Sequence, residues 1–242
     1  CLAGTYQATT GQTSCDDADA GYYVDSTLGS GQPSQTACLA GTYNPNTGST
    51  SPSACGDADA GYYVPTTGQS TQTACLAGTY QATTGQTSCD DADAGYYVPL
   101  SGQSSQIACS KGTFQSDMGE QYCDAADAGN YVSSTAQTSQ TACSAGSYQA
   151  YSGQTSCDAA DAGSYVPSTA QTSQTACTIG TFSSSKGSVS CTDAPAGYYV
   201  SFTGQSSATA CSPGSYQADS GQTSCDAADA GNYVSSTAQT SQ

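Results

Sequence analysis

The sequence contains no tryptophan, no histidine and no arginine, one methionine, and only Lys111 and Lys186 as bases. Without histidine the commonest general base is missing, and a serine nucleophile has no partner to take its proton. The chain therefore reads as no enzyme. Two lysines cannot form a basic stripe, so nucleic acid is excluded as a partner, and an anionic membrane surface on the same grounds. The longest apolar runs are a few residues, so nothing within the chain inserts into or spans a bilayer. There is no sequon for N-glycans, because Asn46-Thr47-Gly48 fails at its third residue and the other asparagines fail as well.

What is present is equally one-sided. Ser and Thr number 39 and 33, and eighteen Asp with Glu120 bring the net charge to −17. Leu, Ile, Val and Phe fall well below the ~20% at which disorder becomes the default. Disorder is nevertheless the weaker reading. Fourteen regularly spaced Cys and eighteen Tyr offer a covalent staple and an aromatic anchor that a disordered tract would lack.

The aromatics keep time. Gly-x-Tyr or Gly-x-Phe recurs at Tyr6, Tyr23, Tyr43, Tyr63, Tyr80, Tyr97, Phe114, Tyr131, Tyr148, Tyr165, Phe182, Tyr199, Tyr216 and Tyr233. The interval is 17 residues, with two intervals of 20 where three extra residues enter a loop. So short a piece cannot enclose its own core and must lean on its neighbours. The expected fold is all-β and irregular, disulfide-rich: an elongated rod of fourteen stacked 17-residue β-hairpins, grouped as seven 34-residue repeats. A β-solenoid with one such piece per rung is the alternative. The repeats run 1–37, 38–74, 75–108, 109–142, 143–176, 177–210 and 211–242, the last incomplete. The chain opens on Cys1 in phase with the repeat, which predicts a window within a longer repeating protein whose secretion signal and anchor lie outside it.

Cysteines stand at Cys1, Cys15, Cys38, Cys55, Cys75, Cys89, Cys109, Cys123, Cys143, Cys157, Cys177, Cys191, Cys211 and Cys225. From Cys75 onward the gaps alternate 14 and 20. Each 34-residue repeat thus holds a half with two Cys and a half without. In the second half both positions change together, to Ala18 and Gln35, Ala58 and Gln72, Ala92 and Gln106, Ala126 and Gln140, and Ala160 and Gln174. The sixth repeat has Ala194 and Ala208 instead.

The run Cys-x-x-Gly-Thr-Tyr…Gly-x-x-Ser-Cys, followed by Ala-Gly-Tyr-Tyr, resembles the short Cys-rich repeats called GCC2/GCC3, similar to ephrin-receptor-like and tumour-necrosis-factor-receptor-like modules. The resemblance covers the whole chain and implies extracellular architecture rather than a particular activity. In that family a unit begins Cys-Pro-x-Gly-Thr and is joined to the next through Cys-x-x-Cys. Here each such link keeps one Cys, as in Cys15 to Ala18 and Gln35 to Cys38. The resemblance and the concerted loss at the Ala and Gln positions imply the same pairing: Cys1–Cys15, Cys38–Cys55, Cys75–Cys89, Cys109–Cys123, Cys143–Cys157, Cys177–Cys191 and Cys211–Cys225. The rival joins Cys15 to Cys38. Zinc is the other use of regular Cys, but no Cys-x-x-Cys survives. Disulfides imply an oxidising compartment, hence an extracellular or cell-surface location.

Within one hairpin, Gly78 to Gln81 reads as a strand, Thr83 to Gln86 as a turn, and Thr87 to Cys89 as the return strand. The aromatic two residues after the glycine is the expected buried anchor. No 3.6-residue apolar period exists, so almost no helix is expected. The insertions, in 25–31 and 44–53, are expected to bulge outward.

Four surface features compete with bland readings. Asp17-x-Asp19-x-Gly21 and Asp91-x-Asp93-x-Gly95 resemble pieces of a calcium loop, the alternative being an acidic solvated turn. Gln12, Gln69, Gln86, Gln103, Gln154, Gln205 and Gln222 follow the turn glycine and would form either an amide ladder or ordinary turn residues. The Thr-rich surface lacks the strict Thr-x-Thr grid of an ice-binding face. Dense Ser and Thr suit O-linked glycans, or hydroxyls that satisfy turns. No cofactor is expected, with structural calcium the one candidate. The uniform array predicts a structural shaft of an extracellular fibre, surface filament or stalk, partnered by copies of itself and carrying O-glycans. The runner-up is a ligand-binding ectodomain of a receptor or adhesin.

Overall fold

The computed structural model describes residues 1–242. The chain forms two compact units, one comprising 1–109, 115–123 and 136–138, the other 110–114, 124–135 and 139–242. Both are built from the same element. In the first, Thr79–Tyr80 pairs antiparallel with Asp90–Asp91, placing Thr79 opposite Asp91 and Tyr80 opposite Asp90. In the second, Ser147–Tyr148 pairs with Asp158–Ala159. Thirteen such two-stranded sheets are present, none sharing a strand with another. Helix is confined to two three-residue 3₁₀ turns, Ser26–Leu28 and Pro52–Ala54, one in each insertion. The first is capped by Asp25, whose carboxyl is held below its ordinary range by the Thr27 amide and then the Thr27 hydroxyl. The flanking registers, Tyr22 opposite Ala37 and Thr42 opposite Asp57, match those of the uninterrupted hairpins.

The return strand differs from the sequence expectation. It lies at Asp90–Asp91, beyond Cys89, rather than at 87–89. The staple therefore ties the loop ahead of the return strand instead of forming it, and residues 87–88 make the bend leading to Cys89.

Successive hairpins are joined through their backbones. Between the hairpin opening at Ala58 and that opening at Cys75, Gly61 donates to the Gln81 carbonyl (2.8 Å) and Val64 to the Gln86 carbonyl (2.9 Å). Gly85 donates back to the Ala58 carbonyl at 2.8 Å. The second unit repeats the set with Gly129 to Gln149, Val132 to Gln154 and Gly153 to Ala126. Each hairpin thus passes to the next the edge that it received.

Such close stacking leaves little room for side chains, and the core is correspondingly small. It consists of the first residue of each hairpin and the residue after the aromatic. Ala58, Cys75, Ala92 and Cys109 are buried at the former, Val64, Gln81, Val98 and Gln115 at the latter. This corrects the expectation that the aromatics are the buried anchors. Thirteen of the fourteen are half-buried, and Tyr233 is 81% exposed. Neighbours on a strand face opposite ways, so burying Val98 turns Tyr97 away from the core. Each buried Val contributes about 1.5–3 kcal/mol, too little to order a hairpin without the backbone bonds and staples.

The turn position shows a strain that can be relieved. It is glycine in most hairpins, for example Gly85 at φ +73°, but Ala136, Ala170 and Ala238 adopt φ +57° there. A left-handed alanine costs about 1–2 kcal/mol relative to the ordinary helical region. Ala136→Gly and Ala170→Gly should each raise stability by about 0.5–1 kcal/mol, after the greater unfolded-state freedom of glycine is counted. The midpoint of urea unfolding checks this, the expected shift being upward for both.

Candidate functional site: staples, clasps and exposed grooves

The seven disulfides join Cys1–Cys15, Cys38–Cys55, Cys75–Cys89, Cys109–Cys123, Cys143–Cys157, Cys177–Cys191 and Cys211–Cys225. No free cysteine remains, which removes both the rival pairing and thiolate zinc ligation. The first Cys of a staple is buried from Cys38 onward, while the second lies nearer the surface. Inside five of the seven stapled loops sits a glutamine brace that the sequence reading missed, Asn44 and Ser183 taking its place in the Cys38–Cys55 and Cys177–Cys191 loops. Buried Gln81 donates from Nε2 to the Ser88 carbonyl (3.0 Å) and accepts at Oε1 from the Thr83 amide (3.1 Å). Gln115, Gln149 and Gln217 repeat it. Every buried side-chain polar atom has a partner, so these amides stiffen the loop without an orphaned group.

The unstapled halves are closed at the same place by different chemistry. Gln106, standing where the second Cys would be, donates from Nε2 to Oδ2 of Asp93 at 2.6 Å. Its Oε1 accepts from the Asp93 backbone amide, also at 2.6 Å. The same two-bond clasp joins Asp19 to Gln35, Asp59 to Gln72, Asp127 to Gln140, Asp161 to Gln174 and Asp229 to Gln242. In the sixth repeat both partners are gone, replaced by Pro195 and Ala208. That joint loss was the signal that could have found the clasp.

The clasp also changes the reading of the acidic motifs. Asp19 and Asp93, second carboxylates of the supposed calcium loops, are engaged by glutamine. Asp17 and Asp91 instead lie against the turn glycines Gly48 and Gly119. No three acidic or Cys side chains converge into a metal-binding group. Asp161 carries one further contact, to Lys186 at 3.4 Å with both side chains exposed. The Gln174 hydrogen bond and then Lys186 hold its carboxyl below the ordinary range. A depressed carboxyl stabilises above the unfolded-chain pKa, and that contribution disappears as pH falls through the lower folded value. The turn glutamines form no ladder of amides. Gln69, Gln86, Gln154 and Gln222 bond within their own turns.

Removing one clasp should destabilise its repeat by about 1–2 kcal/mol, two charge-assisted or backbone bonds less their solvent exposure. Gln106→Ala and Gln140→Ala are the test, read by amide hydrogen exchange in the affected hairpin. Pro195→Asp with Ala208→Gln should slow exchange in the sixth repeat by a comparable factor.

Two equivalent grooves open beside the staples of the first unit. Tyr23, Leu39, Thr42 and Pro52 line one of about 240 Å³ against Cys38–Cys55, and Tyr63, Leu76 and Thr79 line one of about 270 Å³ at Cys89. Leu2, Leu39 and Leu76 are each more than 70% exposed, and later repeats place Ser110, Ser144, Thr178 and Ser212 at that position. Burial and then the carboxylates of Asp93 and Asp90 raise the phenol of Tyr80 above its ordinary value. Neither groove brings a nucleophile to a base.

No family model matches the chain, and no curated protein is recognisably similar to it. No helix is long and apolar enough to cross a membrane.

Proposed function

We propose that the chain is the structural shaft of an extracellular fibre, surface filament or stalk, associating with copies of itself and carrying O-linked glycans. One observation carries this reading. From the hairpin opening at Ala18 onward, each offers its successor the same two donors and one acceptor, so the array has no built-in length. Wherever an array terminates, its last hairpin presents the bonding edge that another copy's first hairpin completes, a head-to-tail contact that does not close. Seven staples suit an oxidising exterior, and two lysines leave trypsin-like proteases little to cut. Abundant exposed Ser and Thr between the strands provide attachment points for glycans.

Electron microscopy of native material, before and after chemical removal of O-glycans, tests the proposal. Continuous filaments whose axial period matches one or two hairpins are expected, with a diameter that shrinks on treatment. Separate short rods on a cell surface would favour the second reading, a receptor or adhesin ectodomain, which the exposed leucines beside the two grooves support. Monomeric rods at high concentration would remove self-association.

A further inference from the structure

Six of the seven repeats contain two loops of nearly equal length, closed at equivalent points by bonds of opposite character. In the third repeat the Cys75–Cys89 staple seals 14 residues covalently, and the Asp93–Gln106 clasp closes 13 with two hydrogen bonds. The clasp lies wholly within the stretch between consecutive staples, Cys89 to Cys109, which is 20 residues long. Tension drawn along the chain enters that loop at Asp93 and leaves at Gln106. The clasp therefore bridges the points across which load would act, and the backbone bonds to adjacent hairpins share that load. The staple does the same for its own loop but cannot open without a reductant.

From this arrangement we infer a second function, that of a tether which lengthens reversibly under load to a covalently fixed limit. The clasped half is the yielding element and the stapled half the stop. The inference rests on the shaft reading only in that a shaft carries axial load. Opening one clasped stretch releases 20 residues, at most about 70 Å of extended chain, while reduction would release 34 residues, or about 120 Å. Because the stapled loop keeps its buried glutamine brace and its covalent closure, a folded nucleus remains on either side of each opened stretch. Re-forming the clasp then closes a short loop between ordered neighbours, with little chain entropy to overcome.

The sixth repeat supplies an internal control. Pro195 and Ala208 leave its second half with neither staple nor clasp, so it should yield first. The Asp161–Gln174 clasp, whose carboxylate also meets Lys186, should be among the last.

The full chain held between DNA handles in an optical trap gives the test. The oxidised protein is expected to lengthen stepwise by no more than the stretch between staples, 20 residues per repeat and 23 in the first, to recover on relaxation, and to exceed that limit only after reductant is added. One early step should belong to the sixth repeat and should vanish in the Pro195→Asp, Ala208→Gln variant. Gln106→Ala with Gln140→Ala should shorten the lifetime of the closed state under constant force by roughly tenfold in two steps, the loss expected for removing a pair of hydrogen bonds. Unchanged lifetimes in that variant, an early step surviving the restoration, or a single rupture of the whole array would each overturn the inference. Filament imaging of the same variants separates the two proposals. Intact filaments with unaltered lifetimes sink the yielding device alone, whereas absent filaments with the expected steps sink the shaft.

Discussion

Gly78→Ala should be among the most damaging single substitutions in the chain, with an expected loss of about 4 kcal/mol, at the upper end of what point changes produce. Two independent effects act at this residue. Its φ of +88° lies in a region that side-chain-bearing residues rarely adopt, which alone costs about 1–3 kcal/mol. A β-carbon there would also stand 2.1 Å from the carbonyl oxygen of Gly119, two hairpins further on. That oxygen belongs to backbone fixed by the bond from the Gly119 amide to Ala92, so it cannot swing aside as a side chain would. Relief requires the hairpins to part, and parting breaks the bonds from Gly78 to Val98 and from Gln81 to Gln103. Gly85→Ala makes the matched control. It has a positive φ of +73°, yet an added β-carbon would meet only the Asp57 side chain at 3.5 Å. It should therefore lose only the conformational part, about 0.5–1 kcal/mol net of unfolded-state freedom, the reverse of the gain expected for Ala136→Gly and Ala170→Gly. Urea unfolding of both variants checks the difference. Equal losses would mean that φ alone sets the cost and that the close approach of the hairpins contributes nothing.

This contrast also indicates how far the sequence could be read. The period of 17 residues was legible because Gly78 and its equivalents have no substitute, so they recur without exception. The staples were legible because losing half a disulfide is worse than losing both, which makes Ala and Gln appear together. Helix was excluded by the absence of any 3.6-residue pattern, and the structure has only the two 3₁₀ turns. The buried face was not legible. Tyr97 is larger than Val98 and offers a broad ring surface, which favours the ring as the anchor. Backbone-to-backbone stacking decides otherwise, since the space left between hairpins admits Ala, Cys, Val or a self-satisfied Gln but no ring. The return strand was misplaced because Cys89 looked like the end of the hairpin, when its bridge to Cys75 leaves Asp90 and Asp91 free to pair. The clasp was overlooked for a different reason. Asp93 invited comparison with calcium ligands, and its partner lies 13 residues away at a position noticed only as a missing Cys.

Exchanging one staple for a clasp should recover part of what removing the staple takes away. Cys75→Ala with Cys89→Gln copies the residues of the unstapled halves and is expected to lose about 3 kcal/mol, the constraint on a closed loop of this length in the chain-entropy model. Alanine suits the buried end, because Ala58 and Ala92 occupy the same place in neighbouring hairpins without a cavity being required of them. Adding Leu76→Asp places a carboxylate where Asp93 stands relative to Gln106, and removes a leucine that is 73% exposed and contributes little to packing. The triple variant should regain about 1–2 kcal/mol through the two new hydrogen bonds. The comparison is clean because Gln81 remains within the loop and keeps its bonds to Ser88 and Thr83 in all three proteins. Thermal and urea unfolding, followed under oxidising conditions so that the other staples persist, give the three stabilities. Recovery in the triple variant, lost again when Leu76→Glu replaces Leu76→Asp, would establish that the two closures are interchangeable in position and graded in strength. If the triple variant is no more stable than the double, the aspartate and glutamine hold each other only where the surrounding half-repeat already fixes them, and alternation along the chain reflects two distinct hairpin designs rather than one design with two fasteners.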